Sequence, residues 1–579
     1  MNTVAPTRPE RQPLADAAPV VESKMPLDPA DFNVISGALA SVAGEMGDIM
    51  LRSAYSTIVR EAKDFSTCVM DGAARTVAQA EMIPIHMNSM AAAVDWMRQK
   101  YDFSAIKPTE AFLTNNPYER GQHLNDIILV MPVFFDGELV AFAGSVCHHL
   151  ELGGAMAGSN VKATDLYQEG LIIPTMKIDI ERDLGDGPVE QMLRANVRIP
   201  KVIIGDFHAQ VSAVLRGRQL LQDLFDRHGA ELLQRCMSEM QDYAERIMRG
   251  AISALPDGTY HGEDVLDGQT LGGTQPTVRS KVVISGDEAV VDLSESDDQV
   301  GWPVNSPVAS TESAVLTIFR LLCGPDVPTN AGTYRPISVI TRLGSILDPR
   351  HPAPLRGRMT SAYRTGTAVK RALSAADPTR FSAAGSDSTN SISMSRKGPM
   401  GYEMFTELLS GGNGAGPRGD GAEAIAQMLS NTANTPVEST EMDYEFVRIV
   451  QMSLVPDSGG PGTYRGGLGY RRVYEILADD VVVSTNGDRH DSAPWGLVGG
   501  GAGSRSSYCV VRGDVETRVP AASIAVCNKG DQFVVNVAGG GGYGDPKARA
   551  REAVADDLRC GRVTSEMAAE VYGYVDHGS

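Results

Sequence analysis

Three histidines and two carboxylates crowd the stretch 123–151: His123, Asp126, His148, His149 and Glu151. Imidazole together with carboxylate is the donor set that a divalent metal needs. The chain between them supplies a way to bring them together. Two apolar runs, Ile127–Phe135 and Leu139–Cys147, flank Asp136-Gly137. An Asp-Gly pair between apolar runs signals a two-residue hairpin turn, because both central residues need φ > 0. Pairing about that turn sets Asp126 opposite Cys147 and Asn125 opposite His148, so the five residues collect at the hairpin's open end.

The pleat raises a difficulty. Side chains alternate between faces, so in a regular hairpin of this register Asp126 and His148 point to opposite sides. The cluster closes only where 121–126 is a turn leading into the strand, or where a bulge re-aims one ligand. Pro132 inside the first run argues for an edge strand or a bulge. The alternative is that these histidines are ordinary strand-end residues.

Other elements must hold the hairpin. Asp28-Pro29 starts a helix, as cap followed by proline at the first helical position. Phe32, Ile35, Leu39, Val42, Met46 and Ile49 then form one apolar seam, predicting a helix to about Arg60. Glu61 and Asp64 lie before a short strand, where surface charge at a helix end is the ordinary reading. Residues 83–97 read as a strand end, a loop at His86 and a helix, and a lone histidine there is expected to be hydrogen-bonded and structural. Helical spacing recurs over 206–228 and 230–249, broken at Gly229. From 254 the pattern changes to short alternating strands with glycine and proline turns, with helices expected at 361–377 and 420–434. Asp545-Pro546 is expected to cap a closing helix that stops at Gly561.

The glycine loops at 456–472 and 535–546 invite comparison with a phosphate cradle. However, the chain contains no GxxxxGK[ST], and neither loop has dinucleotide-fingerprint spacing after a strand. Tight turns are the expectation, with close backbone approach to a ligand at Gly539–Gly542 as the alternative.

The 579 residues are too many for one core. The fold class expected is α+β and multi-domain, with a helix-containing N-terminal half bearing the hairpin and a β-rich, glycine-rich C-terminal half. The divisions expected are a disordered lead-in at 1–26, an α/β metal-site domain at 27–250, a β-rich mixed domain at 251–545 and a helical segment at 546–579. A net charge of −20 argues against nucleic acid or an anionic membrane as the main partner. Seven scattered cysteines without a CxxC pair, and a lead-in lacking an apolar core, point to a cytoplasmic protein.

Eight stretches together carry a family resemblance: GEMGDIMLRSAYS (44–56), REAKDFS (60–66), NNPYERGQHLNDI (115–127), CHHLELGG (147–154), GDFHAQVSAVLRG (205–217), NTPVESTE (434–441), DSGGPGTYRGGLG (457–469) and GGGGYGDP (539–546). From about Leu27 to Tyr574 the chain resembles the hydantoinase B/oxoprolinase family. That family includes the B subunit of ATP-dependent N-methylhydantoinase, the C-terminal half of 5-oxoprolinase and a subunit of acetone and acetophenone carboxylases.

The resemblance implies manganese or zinc held by His123, Asp126 and His148; for the chemistry of such a site, Glu151 or Asp64 is expected to accept a proton, and His149 and Asn116 to support the ligands. It also implies a hetero-oligomer, in which an A-type partner binds ATP and phosphorylates a cyclic amide for this chain to open. ATP-dependent ketone carboxylation is the alternative, although a length near 580 fits the hydantoinase-like branch better. The family's NDPY is here NNPY with Asn116, its following glycines are here Glu119-Arg120-Gly121, and its HHADIGG is HHLELGG with Glu151. These departures leave the ligands intact and put the substrate wall in doubt.

Overall fold

The computed structural model describes residues 27–575 apart from 81, 88, 159, 269–272, 274 and 426. The expected lead-in at 1–26 lies outside them. The site-bearing sheet has six strands: β1 (Phe65–Asp71), β2 (Thr76–Ala80), β3 (Glu110–Thr114), β4 (Asp126–Phe135), β5 (Glu138–His148) and β6 (Met176–Asp179). Their order is β2-β1-β5-β4-β3-β6, and every pair is antiparallel.

The β4–β5 hairpin is central rather than at an edge, and both of its faces are covered. Ile127, Leu129 and Met131 pack with Ile203, Phe207 and Val211 of the long helix Pro200–His228. Ile128, Val130, Phe142 and Val146 pack with Met90, Val94 and Met97 of the helix Ser89–Lys100. Strands buried on two faces read as continuous apolar runs, as these do.

The hairpin turns at Asp136 (φ 50°) and Gly137 (φ 84°), as the dipeptide predicts. Its register differs from the expectation. Phe135 pairs with Glu138 and Phe134 with Leu139, but Val133 pairs with Ala141, so Val140 is an extra residue. This bulge lies next to Pro132, which has no N–H to give the ladder. Beyond it every pair moves by one place: Ile127 faces Cys147, and Asp126 faces His148 rather than Cys147.

The first helix runs Pro29–Ser53 and buries Ile35, Leu39, Val42 and Met46. It is long and apolar enough to cross a bilayer, and its seam is buried in the core formed with Pro200–His228. It stops short of Arg60. Asp206 on that long helix accepts the N–H groups of Tyr55 (2.7 Å) and Ser56 (3.1 Å), fixing an extended break before a short turn of helix at Thr57–Arg60.

In the second half, strands Gly258–Val265, Thr277–Ser285, Glu288–Asp292 and Ile337–Ile340 form one sheet. Their apolar residues share a core with the helices Val308–Arg320 and Arg358–Ala376. Two further sheets, of four and five strands, enclose a common core that includes Ile392, Phe405, Tyr474 and Phe533. The helix expected at 361–377 begins at Arg358. The one expected at 420–434 is not formed, and its described residues are turns and irregular chain. Gly421 and Ala422 bond to Arg465 and Asn413 instead of to their own neighbours. At the closing segment, Asp545 caps only a short 3-10 turn at Pro546–Ala548, and the helix proper is Arg551–Arg559.

The glycines at 539–542 serve neither as turns nor as a ligand cradle. None has positive φ. Their N–H groups reach three different segments: Gly540 to Gly467 (2.9 Å), Gly541 to Ala384 (2.8 Å) and Gly542 to Gly501 (2.9 Å). A Cβ on Gly540 would sit 2.0 Å from the carbonyl oxygen of Asn413, and one on Gly541 would sit 2.1 Å from that of Trp495. The run is packed backbone against backbone.

Candidate metal centre

The shifted register brings three donor atoms to one point. His123 lies in the turn leading into β4, where its carbonyl accepts the N–H of Asp126 (2.9 Å). Asp126 opens β4 and His148 closes β5 directly opposite. His123 Nε2 and His148 Nδ1 are 3.1 Å apart, and each is 3.1 Å from Asp126 Oδ1.

An equilateral set of this size suits a divalent ion. With bonds of ~2.1 Å, neighbouring donors lie ~3.0 Å apart on an octahedral ion and ~3.4 Å apart on a tetrahedral one. Both proposed escapes from the alternation problem therefore operate: the turn supplies His123, and the bulge aligns Asp126 with His148.

The surroundings set the charge states a metal requires. Burial, and then the Arg358 charge, hold the His123 imidazole well below its ordinary pKa, so it is neutral at pH 7. Burial alone would raise Asp126. Arg358 Nη2 donates to Asp126 Oδ2 at 2.6 Å, and its charge helps keep the carboxylate ionised. Asp64 Oδ2 lies 3.8 Å from His148 Nδ1. Burial pushes its pKa up, against the pull of His148. His86 is buried, lies 3.2 Å from Ser66 Oγ as a structural histidine would, and has its Nε2 3.8 Å from Asp126 Oδ2.

Three expected site residues are engaged elsewhere. Glu151 accepts the N–H of Gly153 (2.8 Å) and both the N–H (2.9 Å) and guanidinium (2.6 Å) of Arg198. It ties the loop after β5 to the start of the long helix and does not line the cavity at the triad. His149 reaches Gln210 (3.4 Å) on that helix rather than a ligand. Asn116 accepts the N–H of Tyr118 (3.1 Å) as the cap of a short turn.

The support expected of Asn116 falls to its neighbour Asn115. This residue is fully buried and bonds Leu124, Leu171 and Ile173, fixing the His123 turn against the following loop. Arg356 and Arg358 carried no local signal. Both arginines arrive from more than 200 residues downstream.

A cavity of about 70 Å³ opens beside the triad. Asp64, His123, His148, Arg356 and Arg358 line it, together with Ile83, Ile85 and hydroxyl side chains from the C-terminal half.

Comparison with known proteins agrees with this architecture. The family model for hydantoinase B/oxoprolinase matches residues 28–546. The caprolactamase β subunit of Pseudomonas jessenii is 30% identical over 568 residues, covering 96% of this chain and 97% of that protein. The crystal structure of the ATP-dependent caprolactamase from the same organism superposes with a TM-score of 0.88 at 29% identity, covering 95% of this chain and 97% of that one. A 5-oxoprolinase of Dictyostelium discoideum is 28% identical over 90% of this chain and 40% of its own length. The nucleotide-free structure of acetone carboxylase shares the fold, with a TM-score of 0.88 at 20% identity over 95% of this chain and 80% of that one. With a family match over nearly its whole length, the chain belongs to the hydantoinase B/oxoprolinase family.

Proposed function

We propose that this chain is the metal-containing B-type subunit of an ATP-dependent cyclic amide hydrolase. It would act on a substrate that a separate A-type subunit has phosphorylated. The observation carrying this reading is the triangle of His123, Asp126 and His148 donors, set in a cavity beside a buried carboxylate. Membership of the family, and a relative named as the β subunit of a caprolactamase, support it.

A lactam carbonyl is a poor electrophile. Phosphorylating its oxygen creates an imidate whose carbon water can attack. His123, Asp126 and His148 would hold manganese or zinc, which supplies Lewis acidity and lowers the pKa of water towards ~7. Arg358 keeps Asp126 ionised and oriented. Asp64, raised by burial, is poised to take the proton from the attacking water and return it to the departing nitrogen. The ring C–N bond then breaks, and hydrolysis of the resulting acyl phosphate releases the open-chain product.

The test supplies the chain, an A-type partner and ATP with either cyclic amides (hydantoin, N-methylhydantoin, 5-oxoproline, simple lactams) or a ketone plus labelled bicarbonate. Amide opening without fixed label is expected. Label fixed into a ketone, with no amide opened, would show a carboxylase instead. The chain alone is expected to hydrolyse no ATP.

A further inference from the structure

The triad leaves part of its cavity unused. Thr389, Ser391, Thr406 and Thr432 bring hydroxyl side chains to the cavity from the C-terminal half, and Arg356 enters from the loop before the helix Arg358–Ala376. The position of Arg356 is fixed at two points. Glu169 Oε1 accepts the N–H groups of Leu355 (2.7 Å) and Arg356 (2.8 Å). The Arg356 guanidinium donates to Asn125 Oδ1, and Asn125 Nδ2 donates in turn to the carbonyl of His149 (2.6 Å). The guanidinium is thus anchored one residue from Asp126, on the hairpin that carries the triad.

The charge balance shows what the cavity lacks. Arg358 already matches Asp126 at 2.6 Å. Arg356 adds a second guanidinium to the cavity wall, which Asp64 also lines. A planar fork of N–H donors beside four hydroxyls is suited to binding an oxyanion, and the apolar residues Ile83 and Ile85 remain for ring carbons.

We propose that Arg356 and the hydroxyls of Thr389, Ser391, Thr406 and Thr432 form a subsite for an anionic oxygen group on the substrate, either its phosphoryl group or a carboxylate of its own. Glu169 is then a positioning residue, acting through the backbone of Arg356. The inference rests on the cyclic-amide reading for the identity of the substrate.

The experiment titrates the full chain, loaded with manganese, with inorganic phosphate, 2-pyrrolidone-5-carboxylate and uncharged 2-pyrrolidone in a calorimeter. Arg356→Lys and Arg356→Ala are titrated alongside, with metal content and circular dichroism as checks on folding. Losing a buried partner for a charge costs affinity steeply, so Arg356→Ala is expected to weaken the anionic probes by about 30-fold or more, and far more than the neutral lactam. Arg356→Lys should fall between. An effect on phosphate alone assigns the subsite to the phosphoryl group; an effect on the carboxylate alone assigns it to the substrate's own acid.

Equal weakening of charged and neutral probes, or unchanged binding of both anionic probes in both variants, would overturn the proposal. Turnover of the Arg356→Ala enzyme with ATP and the partner is then compared between the acidic and neutral lactams: the ratio of kcat/KM values is expected to fall by a similar factor where the subsite holds the substrate's own carboxylate, and both values to fall together where it holds the phosphoryl group. If the wild-type enzyme opens no cyclic amide, the functional reading fails while the binding measurements still decide the role of Arg356.

Discussion

Gly540→Ala is expected to be among the most damaging single-methyl changes this chain can suffer. The new Cβ would lie 2.0 Å from the carbonyl oxygen of Asn413, 2.3 Å from its carbon and 2.7 Å from the nitrogen of Gly414. All three are backbone atoms, so no side chain can swing aside. Relief requires the 412–415 segment to withdraw by more than ~1 Å from 538–541 to restore normal non-bonded spacing. That movement breaks the bonds from Gly412 to Ala538 (3.0 Å) and from Ala415 to Gly541 (2.9 Å). Each of these two buried bonds costs about 1–3 kcal/mol to break without replacement, so the total is about 2–6 kcal/mol. At roughly 2–4 °C per kcal/mol for a sizeable domain, melting should fall by on the order of 10 °C.

The damage should also reach the cavity beside the triad. Ala383, Ala384 and Ser386 hydrogen-bond into the same glycine bundle, and the chain then runs directly to Thr389 and Ser391 on the cavity wall. Differential scanning calorimetry of the variant, with Gly37→Ala as control, tests the reasoning. Gly37 lies on the exposed side of the first helix, with nothing within 4 Å of where an added methyl carbon would sit, so alanine there should stabilise by about 0.5–1 kcal/mol. A Gly540→Ala protein that melts with the wild type would refute backbone-on-backbone packing as the reason for these glycines.

Other expectations follow from the site and its supports. His123→Ala and His148→Ala should each lose bound manganese or zinc in elemental analysis, and metal content equal to wild type in either would remove the ligand assignment. Asp64→Asn should keep its metal yet lower kcat by about 10²–10⁴-fold, the usual range for a lost general base; unchanged turnover would exclude Asp64.

Asp264 is held below the ordinary carboxylate value because, against the cost of burial, Arg489 (2.9 Å) and Arg364 (3.0 Å) pair with it. Its folded pKa is depressed, so its stabilisation is present above the unfolded value near ~4 and is lost as pH falls through the folded one. Asp264→Asn should therefore cost about 3–5 kcal/mol at pH 7, and the gap to wild type in urea unfolding should narrow at pH 3.5. Burial pushes Glu169 up to about 8, so the opposite sign holds there. Its stabilisation is full below the unfolded value near ~4.3 and is lost as pH rises through 8, and Glu169→Gln should gain on wild type over that range in thermal melts.

Local sequence was enough to locate the turn, the two strands and the cluster of His123, Asp126 and His148 at their ends. Asp136-Gly137 needs no distant partner to favour positive φ, and unbroken apolar runs already require burial on both faces. The motifs around His123 and His148 likewise carried the family. Pro132 argued for either an edge strand or a bulge, without choosing between them or giving the bulge's position. Only the completed sheet decides that Val140 is the extra residue and that Asp126 faces His148.

Helical spacing at 420–434 was overridden because the backbone there bonds to segments far along the chain, a choice that propensity alone does not determine. The glycine run was legible as a demand for space, but what fills that space is other backbone, known only once four segments meet. Arg356 and Arg358 show the same limit at the site itself. Their charge was visible at once, but the place of Arg358 beside Asp126 and of Arg356 against Asn125, each more than 200 residues earlier, follows from the packing of two halves of the molecule. A pairing of that kind is decided by tertiary contact, because no local pattern records which buried charge will need a partner.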